Sequence, residues 1–332
     1  MSRASETPLA APAAVQSGLN GWVEAGLFAI ALSVLNIAYG VGHQYGVHPI
    51  AFLAIAMPVA ASTLLTFNGA GPHWWPIIRH PLSYVVGGGI IAMEAFYYML
   101  LQVTTPTDGS LLVRLNVPAA ALLGFALLGR RPAALGLVGQ AIVLAGVFGY
   151  VAIMEAGNRG LGVALAVACA LNMSIRAFAT EFHPWNRAAR TITEKMRLTG
   201  LVLLVTSLMG AVIVFGLMAM VARGSLVQPA WLPEVRHFLH EPTLILGLFM
   251  GVLVLTAMQY LGFSVVVKIQ SENFVATTAL IPPVTLAMQL VAVRLGILAP
   301  VPFDWSVLPA MLVVGAGVLI VIWAGRKTTS NP

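Results

Sequence analysis

Glu94 and Arg114 are the residues whose type and place promise chemistry, because each is an ionisable group inside a long apolar run. The runs are Leu82–Gln102 for the carboxylate and Ser110–Gly129 for the guanidinium. A charge in hydrocarbon is expensive unless it is paired, hydrated or protonated. A carboxylate so placed can carry a proton, and a guanidinium can hold a solute carboxylate through two parallel hydrogen bonds. At helical spacing Glu94 shares a face with Tyr97, Tyr98 and Gln102, a polar and aromatic stripe suited to a cavity wall. Arg114 lies about one turn inside its run and Glu94 about two turns from the end of its own. Antiparallel neighbours would bring them within reach of an ion pair. A functional site and a structural pair are both open readings, and breaking a buried pair strands a charge in either case.

The phrase around Glu94 recurs. Ala92-Met93-Glu94 returns as Ala257-Met258-Gln259, an offset of 165 residues, and the same offset carries Leu115 and Pro118 onto Leu280 and Pro283. Ala145-Gly146-Val147 echoes Ala316-Gly317-Val318, and Leu35-Asn36 echoes Leu171-Asn172. Gln259 is thus the counterpart of Glu94 in a second copy. Asn36 and Asn172 are candidates for hydrogen bonds between helices, at about 0.6–2 kcal/mol each, or for cavity lining. Pro118 and Pro283 each remove a backbone hydrogen bond and bend a helix, which makes them candidate hinges or static kinks.

These residues need long helices to position them, and the composition supplies them. Of 332 residues 59% are hydrophobic and only 8% charged, too few to face water all round. Hydropathy predicts an all-α integral membrane protein of ten spans, near 21–42, 49–67, 82–102, 110–129 and 133–152, then 160–179, 198–221, 243–266, 274–293 and 306–324. Five spans per copy is odd, so the second copy is inverted. The repeats are expected over 21–152 and 160–325, between a disordered tail at 1–20 and a short tail at 326–332.

Placing both termini in the cytoplasm puts Arg3, Arg79, Arg130, Arg131, Arg187, Arg190, Lys195, Arg197, Lys268, Arg326 and Lys327 inside, against Arg159, Arg223, Arg236 and Arg294 outside. That bias obeys the positive-inside rule. It also accounts for the net charge of +6 better than nucleic-acid binding does, since the basic residues are dispersed. Arg176, inside the sixth span, is expected to snorkel to the cytoplasmic interface. The chain's beginning lacks the charged start and apolar centre of a signal peptide.

Other patterns fail as sites. The single cysteine, Cys169, excludes an intrachain disulfide and a multi-cysteine metal centre. His43 and His48 flank a short outer loop and read as solvated. His73, His80, His183, His237 and His240 have no metal-ligand spacing, so no metal and no cofactor is expected. Gly87-Gly88-Gly89 lacks the lysine of a phosphate loop and reads as close helix packing, as does the series Ala141, Ala145, Gly149.

From Pro118 to Val151 the chain resembles the EamA-type members of the drug/metabolite transporter superfamily. There a proline enters an apolar helix ending in Leu127-Leu128-Gly129, a short basic break follows, and then Gly139-Gln140-Ala141-Ile142-Val143-Leu144-Ala145-Gly146-Val147. The second half repeats this more loosely from Pro283 to Gly317, and the pattern covers roughly 21 to 325. Arg130 stands where the family often has an acidic residue, and Met57 near where it often has a basic one. The resemblance implies secondary transport, often export, of a small metabolite across a bacterial inner membrane. The expected partners are a small-molecule solute, membrane lipid and protons, with a homodimer open. The rival reading is an integral membrane enzyme modifying a lipid or small molecule, which would need a polar catalytic cluster at the membrane surface rather than deep within it.

Overall fold

The computed structural model describes residues 19–101, 103–104, 106–299 and 305–329. The greater part of the expected N-terminal tail therefore lies outside the described residues. The chain is all-helical among those residues. Helix α1 (Gly21–Gln44) starts at Asn20, whose side chain accepts the Trp22 amide, and α2 (Pro49–Asn68) starts on a proline, which needs no hydrogen-bond partner there. A short α3 (Trp74–Arg79) precedes α4 (Pro81–Leu101), the helix of Glu94. The next apolar run is broken: α5 (Pro106–Leu112), a 3-10 turn at Val113–Leu115, then α6 (Asn116–Leu128). Gly129, with φ +64°, closes α6 in the left-handed conformation that a side chain would disfavour. Helix α7 (Ala134–Ile153) ends the first half.

The second half runs through α8 (Ala156–Phe182), the short α9 (Pro184–Ala188) and α10 (Ile192–Ala222), whose start carries a capping box between Thr191 and Glu194. After α11 (Val235–Leu239) come α12 (Glu241–Met250), a π-helical turn at Gly251–Leu255, and α13 (Thr256–Ile269). Then follow α14 (Ser271–Thr278), α15 (Ile281–Arg294) and α16 (Leu308–Thr329). Helix α16 runs into the segment expected as a C-terminal tail, and α8 begins four residues before the expected second repeat.

Among the described residues nine helical stretches are long and apolar enough to cross a membrane. Helix α4, at 21 residues, stands where the sequence predicts the third span. The long helices pair in a definite pattern: α7 with α16, α2 with α10, α4 with α8 and with α10, α13 with α1, α6 with α8, α15 with α1, and α12 with α2. Two apolar clusters result. One centres on Phe28, Phe52, Leu201, Leu255 and Phe263, the other on Leu112, Val143, Val147, Val314 and Val318.

Glycine sets the closest approach. A Cβ on Gly139 would stand 2.6 Å from the Gly317 carbonyl oxygen, and one on Gly317 would stand 2.7 Å from the Gly139 carbonyl oxygen. Helices α7 and α16 therefore touch backbone to backbone. Ala141 and Ala145 are exposed, and nothing approaches Gly149, so the packing stripe is Gly139, Val143 and Gly146 instead. The runs Gly87 and Gly89 do pack closely, against Thr206 of α10 and Arg176 of α8.

Gly317→Leu is expected to lower the melting temperature of the detergent-solubilised protein, since the clash is with backbone and costs about 1–3 kcal/mol. Gly149→Ala, where nothing lies within 4 Å, should leave it unchanged or slightly raised.

Candidate functional site

The proline positions explain the broken helices. Pro118 has no N–H to give the Arg114 carbonyl four residues earlier, and the preceding residues Val113–Leu115 tighten into the 3-10 turn. In the second half Pro282 and Pro283 deprive the carbonyls of Thr278 and Ala279, and α14 stops at Thr278 before α15 resumes at Ile281. Adding 165 to 113–115 gives 278–280, so the two breaks fall at equivalent places.

Arg114 joins them. Its Nη1 donates to the Thr278 carbonyl at 2.5 Å and its Nε to the Ser110 carbonyl at 2.8 Å. The guanidinium thus supplies the donor that Pro282 cannot. Asn116, fully buried, adds a 3.4 Å contact from its amide to the Thr278 hydroxyl and one of 3.0 Å to Met173 Sδ. Sequence reasoning had no signal for this, because a carbonyl freed by proline on one helix names no partner on another.

Glu94 is not the partner of Arg114: among the described residues no salt bridge joins them. The groups acting on the Glu94 carboxylate are Arg176 of α8 and the Tyr39 hydroxyl of α1. Tyr97, one turn along α4, lies within electrostatic reach of Arg114, Glu94 and Cys169. Arg176 does not snorkel. Its stem crosses Gly89, where a Cβ would lie 3.2 Å from its own, and side chains on a helix lean toward the N-terminus, here toward the middle of the bundle and Glu94. The Tyr39 hydroxyl is buried without a well-formed hydrogen bond. Tyr39 packs on the first apolar cluster while Met93 and Tyr97 pack on the second, so the ionisable groups occupy the seam between the two.

The other predicted residues take separate places. Asn172 donates to the Gly89 carbonyl at 2.8 Å, tying α8 to α4 beside Arg176. Asn36 reaches Thr285 of α15 at 3.4 Å, and the Thr285 hydroxyl donates to Ser33 at 3.0 Å. Gln259 is buried on α13 and is not among the groups acting on Glu94. The side chain of Tyr98 and the whole of Gln102 lie outside the described residues. Pro118 and Pro283 mark helix breaks, as above.

The ends of the bundle hold two further polar clusters. At one, Glu24 pairs with Lys268 at 2.7 Å and accepts the Ser264 hydroxyl, and Arg130 pairs with Glu181 at 2.5 Å and Glu272 at 2.9 Å. Lys195 is buried there too, its ammonium donating twice to Asn186. At the opposite end His48 stacks on His237, with ring centroids 5.0 Å apart, and is not a solvated loop residue. Burial, with His237 beside it, pushes the His48 imidazole down to about 4. Among the described residues no group of histidine, cysteine and carboxylate side chains could hold a metal ion.

Comparison with known proteins adds the fold alone. No protein-family model matches the chain, and no curated protein matches it. Among solved structures, one described as the crystal structure of a protein superposes with a TM-score of 0.61 at 18% identity, over 92% of this chain and 98% of its own.

Two outcomes follow. Arg114→Leu is expected to destabilise the protein by about 1–3 kcal/mol, because the buried Thr278 carbonyl loses its donor. Arg176→Leu should cost less, since no hydrogen bond of Arg176 is broken. Thermal melts in detergent compare the two. The second outcome concerns His183, which is fully buried beside Ser83 and His80 just past the end of α8. Burial first, and His80 second, hold its imidazole at about 4 against an ordinary 6.5. Between those values the unfolded chain binds a proton that the folded chain refuses, so stability falls as pH drops through that window. His183→Asn should flatten the fall in melting temperature between about pH 7 and about pH 4.5.

Proposed function

We propose that this chain is a secondary transporter of a small organic solute, built as two inverted five-helix repeats of the EamA type and working by alternating access. The observation that carries the reading is the group of ionisable side chains in the seam between the apolar clusters. Glu94, Tyr97, Tyr39 and Arg176 come from α4, α1 and α8, and Arg114 closes the group from the 3-10 turn. Ionisable residues inside a helical membrane bundle are costly and belong where a solute or ion passes. An enzyme acting at the membrane surface would have no use for them at this depth.

The helix pairing supports the repeat. Exchanging the halves leaves the pairs α7–α16 and α2–α10 unchanged. It converts α4–α8 into α13–α1, α6–α8 into α15–α1, and α4–α10 into α12–α2. Every one of those pairs is present, and the two helix breaks obey the same exchange. Inverted repeats place the solute site at their interface, near mid-membrane, beside interrupted helices.

The ion pairs at the Glu24 end supply a gate. Glu24–Lys268, Arg130–Glu181 and Arg130–Glu272 each join a residue of the first half to one of the second. While they hold, that end is clasped, and opening it requires all three to part. The arginine and lysine bias assigns this end to the cytoplasm. Glu94 then serves as the proton-exchanging group of a cavity that opens to either side in turn.

Glu94→Gln keeps the shape of the side chain and removes its titration. In proteoliposomes the variant is expected to insert and fold as the wild type does while losing the pH dependence of solute flux. An unchanged rate and unchanged pH profile would make Glu94 a structural residue and leave solute exchange as the mechanism.

A further inference from the structure

The interior cations differ in one respect. Arg114 is held by two carbonyls, Arg130 by two carboxylates, Lys195 by Asn186 and Lys268 by Glu24. Arg176 alone among these has, within the described residues, neither a hydrogen bond nor an ion pair. It faces Glu94 electrostatically without touching it. A guanidinium taken out of water and left without a partner is costly. The protein has nevertheless built a place for it: Gly89 has no side chain, which leaves room for the arginine stem to run along α4, and Asn172 one turn away locks the two backbones together. The Tyr39 hydroxyl, also buried, acts on Glu94 from α1 without a well-formed hydrogen bond.

From this arrangement we infer that the solute bears a single carboxylate, that Arg176 is its anchor, and that the bound anion and one proton on Glu94 are carried together. The inference rests on the transporter reading of the same site. A guanidinium matches a carboxylate in planar, two-bond geometry. Glu94 sits close enough to compensate the charge of Arg176 when the site is empty, but not close enough to occupy its donors. An incoming carboxylate occupies them and leaves Glu94 as an uncompensated second anion. Glu94 then takes one proton from the aqueous phase on whichever side is open, so one negative and one positive charge enter together. No covalent bond to the solute forms or breaks. The groups facing Glu94 are Tyr39 from α1, Tyr97 on its own helix, and Arg176 and Cys169 from α8. From α10 the contacts with α4 are through Thr206, Met209 and the apolar face around Gly210, none of them ionisable.

The test uses the purified full chain in lipid nanodiscs, with L-alanine, L-leucine, L-phenylalanine and lactate as probes, each beside the amide in which an uncharged carboxamide replaces its carboxylate, and inorganic phosphate as a further anion. At least one carboxylate should bind while its amide binds at least about tenfold more weakly, and Arg176→Gln should weaken that binding about tenfold or more, with partial recovery in Arg176→Lys. Binding in weakly buffered solution should take up close to one proton per carboxylate in the wild type and markedly less in Glu94→Gln. Equal binding of acid and amide, phosphate binding in preference to every carboxylate, wild-type affinity in Arg176→Gln, no binding by any of the four carboxylates, or binding without proton uptake would each overturn the inference. Reconstituted vesicles separate it from the underlying reading. Flux of a neutral or cationic solute that ignores Arg176 would overturn the anchor and leave a transporter. Carboxylate binding that depends on Arg176, with no flux under any gradient, would uphold the anchor and overturn transport.

Discussion

Within an apolar bundle every backbone carbonyl needs a donor, and the prolines of this chain take donors away at its centre. Pro282 leaves the Thr278 carbonyl bare, and the donor it finds is the Arg114 guanidinium from the other half of the chain, at 2.5 Å. The cost of leaving such a group unsatisfied in hydrocarbon is several kcal/mol, far more than a surface hydrogen bond is worth. That requirement explains why Arg114 is buried, why it is not available to Glu94, and why the two interrupted helices meet at their breaks. It also ties the two halves of the chain together at these breaks.

Elsewhere the halves are held by close packing and by charge. Gly139 and Gly317 let α7 and α16 come together backbone to backbone, an arrangement that any side chain would push apart. Without a strong hydrophobic force between helices in lipid, such contact is what membrane helices have to associate by. The Glu24 end is held differently, by three ion pairs in which Glu24 and Glu181 are buried and Arg130 and Glu272 are partly so. Parting such a pair strands a charge away from water unless hydration or a new partner replaces it.

Where the two apolar clusters meet lies the seam that holds the interior ionisable groups. Arg176 has neither a hydrogen bond nor an ion pair among the described residues, and the Tyr39 hydroxyl and Arg176 both act on Glu94. The π-helical turn at Gly251–Leu255 interrupts the helix of Gln259 in the other half, where Thr256 bonds back five residues to the Gly251 carbonyl at 2.8 Å. Turns of this kind recur at functional sites. Gln259 lies one turn beyond it, buried and uncharged, at the position that the sequence echo matches to Glu94.

By itself the sequence determined the helices, because a run of about twenty apolar residues in so weakly charged a chain has one stable state in lipid, whatever its neighbours. It also determined where they break, since a proline's missing N–H acts on its own helix, as at Pro118 and Pro282-Pro283. Glu94 was legible for the same local reason: a carboxylate inside an apolar run stands out against its background. Which arginine faces it was a matter for the tertiary structure alone. Spacing pointed to Arg114 and sent Arg176 to the interface, whereas the structure turned on a bare carbonyl 164 residues away at Thr278 and on room left by Gly89. The packing stripe of α7 was likewise undecided, because Ala141, Ala145 and Gly149 look as suitable as Gly139 and Gly146 until α16 is in place. Partners across a bundle are set by how helices rotate and cross, and that is a property of all of them together.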